Sequence, residues 1–286
     1  MPVALSLVGG FAVGLAFRAS LERWFAVAFR TQFAVGLGSL AVLAGWSFDG
    51  GVADVAALGL LLVAQVAAVV GGAWLFRRRR EGPMLAFGLF GNPTMWSLPI
   101  VAATLGPRAA VVLAAYDMLT LPRIALGVRL LRRRAPVPQA PHTALTDYAP
   151  MGGAVAGLVL ARFVEAPDVI PEVVGVAGTL LAASSAVLLG VAWPRGRWLK
   201  RPEVMLALRA LALHLTFVPA VLGAAALLGL AIPGGLWVLA LGPFPMATLS
   251  FARLYGYSAA QAASGLAVSM VVALALLPLA VALGGG

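Results

Sequence analysis

The chain has 286 residues, 62% of them hydrophobic and 10% charged, with 20 Lys and Arg against 10 Asp and Glu and a net charge of +10. A soluble domain carries about a quarter charged residues, so this composition excludes an ordinary soluble protein and reads as a polytopic membrane protein. With no cysteine it also excludes disulfides, cysteine nucleophiles and thiolate metal sites, and with only His142 and His214 a multi-histidine metal centre is not expected.

A membrane-crossing helix needs roughly 17–25 apolar residues. The runs at 2–17, 31–48, 55–76, 84–105, 109–131, 148–164, 169–193, 204–230, 235–254 and 258–283 are expected as ten spans. The first lacks a basic segment before it, while Arg18, Arg23 and Arg30 follow it, so a retained span with an outer N-terminus is expected in place of a signal peptide. With that orientation the arginine runs at 77–80 and 132–134, together with Arg195, Arg197, Lys200 and Arg201, all fall in inner connections. Asp49, Asp54, Glu165, Asp168 and Glu172 fall in outer ones. Positive-inside bias therefore predicts both termini on the outer side; the expected location is the plasma (inner) membrane. The same bias explains the run at 77–80 without nucleic acid, and Trp24, Trp74, Trp193 and Trp198 read as interface anchors.

The proline-rich stretch 132–147 is a cytoplasmic linker between two five-span halves, 1–131 and 148–286. Pro93 aligns with Pro243, and Gly106, Ala109 and Ala110 align with Gly256, Ala259 and Ala260, at one constant offset. Gly9-Gly10 through Arg18 resembles Gly152-Gly153 through Arg162. An odd number of spans per half makes the second copy enter from the opposite side. The expected fold is thus an all-α polytopic protein of ten transmembrane helices in two inverted five-helix repeats.

Spans four and nine are both interrupted, the first by Gly91-Asn92-Pro93-Thr94-Met95-Trp96-Ser97-Leu98-Pro99 and the second by Gly242-Pro243-Phe244-Pro245. Proline removes a donor and clashes with the preceding turn, so both helices should break and expose backbone groups near the midplane. Half-helix N-termini attract anions and half-helix carbonyls attract cations. Asn92, Pro93, Thr94, Trp96, Ser97, Gly242, Pro243 and Pro245 are therefore the candidate substrate-binding residues; simple kinks with back-bonded hydroxyls are the alternative. Asp117, a carboxylate well inside an apolar span, is the best candidate for proton or cation coupling, with a structural ion pair or helix cap as its rival reading. His214 lies deep enough to titrate in a pathway or simply to pack. Arg123 and Arg209 either attract an anionic solute or snorkel to the inner interface. Gln65, Gln261, Ser264 and Ser269 are weaker candidates that bond helix to helix.

The stretch from Gly91 to Ile100, then Leu105-Gly106 and Tyr116-Asp117, resembles the first-half signature of the auxin efflux carrier family of permeases, in the bile acid/auxin transporter-like superfamily. Ala252-Arg253-Leu254-Tyr255-Gly256 and a tenth span ending at Pro278 resemble its second half. The resemblance implies a substrate site where spans four and nine cross, between a scaffold and a moving transport domain. Family members export auxin in plants, and bacterial ones are associated with malate, malonate and other organic acids. The expected function is a secondary carrier that exports a small organic anion by alternating access. The alternative is a sodium- or proton-coupled importer of an organic acid on the same fold. The expected partners are the solute and the lipid bilayer, with a homodimer as one possible assembly. No cofactor or resident metal is expected beyond a coupling H+ or Na+, and no catalytic constellation points to an enzyme.

Overall fold

Long runs of Leu, Val, Ala and Gly with few breakers can satisfy their backbone only within helices when water is absent. The computed structural model describes residues 2–48, 51–75, 96–117, 149–196, 199–246, 248–249, 252 and 258–285. The described helices are α1 (Pro2–Ala16), α2 (Arg18–Trp46), α3 (Val52–Leu75), α4 (Leu98–Thr104), α5 (Pro107–Asp117), α6 (Ala149–Leu160), α7 (Ile170–Ala192), α8 (Arg201–Leu227), α9 (Gly234–Ala240) and α10 (Ala259–Gly284). No strand occurs among the described residues, so the chain is all-α there. Among them, α2, α7, α8 and α10 are long and apolar enough to cross a membrane, which marks a membrane protein. Apolar side chains project outward from many of the helices, for example Leu5 at 67% exposure, Leu180 at 66% and Val271 at 69%, as a lipid-facing surface requires.

Helix starts follow local chemistry. Both α7 and α8 carry proline in their first turn, Pro171 and Pro202, where the missing N–H has no intrahelical partner to lose. Pro219 and Pro278 lie inside α8 and α10, and α10 runs on through Pro278 to Gly284 rather than ending there. Between α4 and α5, Gly106 adopts φ +94°, and the amides of Leu105 and Gly106 both return to the Val101 carbonyl, at 2.8 and 3.1 Å. Only glycine takes that left-handed cap without strain, which is the physical content of the Leu-Gly pair.

One expectation is corrected. Residues 18–30, taken as an inner connection because of their arginines, are helical and form the first turns of α2. No glycine or proline interrupts them, and Phe25, Phe29 and Phe33 repeat every fourth position, stacking at 6.3 and 6.4 Å on a buried stripe. The arginines lowered the hydropathy of a segment whose inward face is aromatic. Within α2 the geometry also changes: Glu22–Trp24 is a 3-10 turn and Gln32–Leu37 a π-helix.

Glycine sets the closest helix contacts. On α1, a Cβ at Gly10 would lie 2.7 Å from the Ala183 carbonyl oxygen of α7, and one at Gly14 would overlap that of Val187. On α6, a Cβ at Gly153 would overlap the Gly38 carbonyl of α2, and one at Gly157 that of Val42. Gly190 of α7 and Gly45 of α2 return the contacts to α1 and α6 respectively. Helices in lipid gain their attraction from such backbone-close packing, since burying apolar area adds little there. Elsewhere, Leu98 of α4 fills the space that a side chain at Gly178 of α7 would need, and Gly234 of α9 meets Gly284 of α10. The chain ends of these helices sort accordingly. Glu22 pairs with Arg195 at 3.7 Å at one end of the bundle, while the Trp46 indole donates to the Val164 carbonyl at 2.8 Å at the other.

Candidate binding site at the two helix breaks

In the second half, α9 stops at Ala240, and the chain passes through Gly242-Pro243-Phe244-Pro245 before helical bonding resumes with the Thr248 amide on the Pro245 carbonyl at 2.9 Å. Pro243 and Pro245 have no N–H, so Phe244 carries the lone amide between them. It donates to Ser269 Oγ of α10 at 3.0 Å, and that hydroxyl donates onward to the Leu266 carbonyl at 3.0 Å. An orphan backbone donor in an apolar core is costly, and a serine one helix away removes the penalty. The Phe244 ring, 2% exposed, packs edge-on against the fully buried His214 of α8, with centroids 6.5 Å apart at 90°.

In the first half, Trp96 and Ser97 form the wide turn leading into α4, and both are buried. Ser97 meets the other break: a Cβ placed on Gly242 would be 3.4 Å from Ser97 Oγ and 2.9 Å from the Val238 carbonyl. Ser97, at the start of the described part of the first candidate stretch, therefore touches the second. Ser97 Oγ is fully buried with no hydrogen-bond partner among the described residues, and Thr248 Oγ1, just beyond the second break, is in the same condition. Each such hydroxyl costs about 1–3 kcal/mol unless something binds it.

Ser97 is thus brought to Gly242, and His214 to Phe244 between Pro243 and Pro245, while Trp96 is buried beside Ser97 in the chain. Asn92, Pro93, Thr94 and Arg123 lie outside the described residues. Asp117 closes α5, and its side chain lies outside them as well. Arg209 is not brought to the site: it is exposed, on the face of α8 opposite the buried Leu206, Ala210, Leu211 and His214. That is the snorkelling arrangement. Gln65 of α3 and Tyr116 of α5, both fully buried, are joined by a bond from the phenol to the amide oxygen. No protein-family model matches the chain, and no curated protein matches it. The geometry of the breaks therefore carries the functional argument alone.

Sequence reasoning overlooked Thr248, although a hydroxyl following Pro245 echoes Thr94 and Ser97 following Pro93. It placed Ser269 only as a generic helix-to-helix contact, because nothing in the sequence says which amide a serine on α10 will reach. Among the described residues, no group of three or more His, Asp or Glu is placed to hold a metal ion.

Proposed function

We propose that the chain is a secondary carrier of a small organic anion, with the solute held where the interrupted spans four and nine meet. The observation that carries this reading is the approach of Ser97 to Gly242, beside a buried hydroxyl with no partner among the described residues. A site that keeps broken backbone clamped yet leaves hydroxyls unspent is prepared for a polar guest. Alternating access fits a solute lodged between two breaks, because either half can open around it.

The inverted-repeat reading draws support from the paired glycine contacts. Gly14 on the Val187 carbonyl and Gly157 on that of Val42 are the same contact made twice, with first-half and second-half helices exchanged. A two-fold axis within the membrane plane generates that exchange. The resemblance to auxin efflux carriers agrees with this architecture and with an organic acid as cargo. The expected setting is an inner membrane with both termini outside, and no enzymatic activity is proposed.

Proton-coupled import is the second reading, favoured by the buried His214 against Phe244. Reconstituted protein tests both. Preloaded liposomes should exchange a labelled mono- or dicarboxylate, and an imposed pH gradient should drive accumulation only if the second reading holds. Correctly inserted protein that moves no organic acid in either format sinks the carrier reading.

A further inference from the structure

The wide turn at Trp96-Ser97 hands directly to Leu98 and Pro99, the first residues of α4. Pro99 restricts the backbone of the residue before it, and Pro99, Ile100 and Val101 are all buried and helical. Leu98 therefore has regular helix downstream and the wide turn, with Ser97, upstream. Its side chain is fully buried and lies directly over Gly178 of α7. A Cβ on Gly178 would overlap Leu98 Cδ2 and stand 3.1 Å from Cγ and 3.7 Å from Cδ1. The leucine thus occupies the space that any side chain at 178 would need.

One turn away on the same two helices the contact is gentler, with a Cβ on Gly175 standing 3.2 Å from that of Ala102. Another face of α7, with Ala183, Val187 and Gly190, carries the backbone contacts to α1. We infer that Gly178 is a positioning residue for the solute site: it seats Leu98, and through Leu98 it holds the Ser97 hydroxyl beside Gly242. It touches no solute itself. A methyl group at 178 displaces Leu98, and because the buried helix after Leu98 is close-packed, the displacement passes to Ser97 in the turn before it. The inference rests on the proposed solute site. It gives α7, which carries no residue of either candidate stretch, control over the hydroxyl that joins them.

The chain has no cysteine, so Ser97→Cys introduces a single reporter thiol. In the full-length protein in detergent, the rate at which that thiol reacts with N-ethylmaleimide reads how well position 97 is enclosed, with no solute present. Gly178→Ala should raise the rate by about tenfold. Adding Leu98→Val, which removes one carbon where Gly178→Ala adds one, should return it to within about twofold of the parent, a rescue that a general loss of stability would not give. Gly175→Ala is the control: it crowds the same pair of helices a turn away from Ser97 and should change the rate by less than about twofold. If Gly178→Ala does not fold, Leu98→Ala takes its place, since it empties the socket without a clash and should raise the rate to a similar extent. An unchanged rate in the Gly178→Ala or Leu98→Ala protein, no rescue by L98V/G178A, or an equal rise with Gly175→Ala overturns the assignment. The carrier reading fails on a different result, liposomes that exchange no organic acid, so the two failures are distinct.

Discussion

The amide of Phe244 donates to the hydroxyl of Ser269 at 3.0 Å, joining the stretch after α9 to the middle of α10. Because Phe244 lies between two prolines, no neighbouring amide can take over that bond. Ser269→Ala should therefore leave a buried donor unpaired and cost about 1–3 kcal/mol. Thermal unfolding in detergent measures it. A loss below about 0.5 kcal/mol would mean that water or a shifted backbone already serves the amide.

Ser97→Ala makes the opposite prediction. Its hydroxyl is buried and has no partner among the described residues, so deletion should leave stability unchanged or raise it by about 1 kcal/mol. Solute affinity should fall by about tenfold, the equivalent of one hydrogen bond of about 1.4 kcal/mol. A variant that is both less stable and unaltered in binding would show that Ser97 is a structural residue.

The glycine contacts supply a paired experiment with built-in controls. Gly14→Ala and Gly157→Ala each drive a methyl group into a carbonyl of the facing helix, and each should cost about 1–3 kcal/mol. Their neighbours Gly9 and Gly152 have open space where a Cβ would go. Alanine there should be neutral, or stabilising by about 0.5–1 kcal/mol through helix propensity. Matching penalties at Gly14 and Gly157 support the duplicated architecture; unequal ones argue that only one of the two contacts is tight.

Tyr116 and Gln65 should be energetically coupled. Tyr116→Phe and Gln65→Leu each remove the bond from the phenol to the amide oxygen, so the double variant should lose less than the two single losses added together. A coupling of about 0.5–3 kcal/mol is expected from a double-mutant cycle of unfolding free energies. Strict additivity would remove this bond from the account of how α3 and α5 are joined.

The parts of the fold that were plain in the sequence are those where one residue type dictates one outcome. Long apolar runs became α3, α7, α8 and α10, and α9 stopped just before the Gly-Pro-Phe-Pro stretch. The start of α2 was hidden because hydropathy averages a whole turn: Arg18, Arg23 and Arg30 outweighed Phe25 and Phe29, although arginine on an outer face does not oppose a helix. The likeness of Gly10 to Gly153 was visible, yet their partners were not. Those partners are carbonyls, and every residue has one. The π-helix at Gln32–Leu37 left only a glutamine inside an apolar run as its trace. At the breaks, the cluster of Trp96, Ser97 and Gly242 follows from prolines that can be read directly, whereas His214 reaching Phe244 depends on how α8 is rotated.

Backbone set against backbone has a mechanical meaning. With Gly14 lodged on Val187 and Gly190 returning the contact, α1 and α7 cannot slide or twist past each other without collision, and the Gly157–Val42 contact imposes the same on α2 and α6. These pairs are stiff slats that any working motion must carry whole. Bending is left to places where the regular α-helical ladder changes, the wide turn at Trp96-Ser97 and the stretch from Gly242 to Pro245. If the proposed carrier holds its solute there, the residues that grip it are also its hinges, and occupancy of the site and the freedom to move become a single variable.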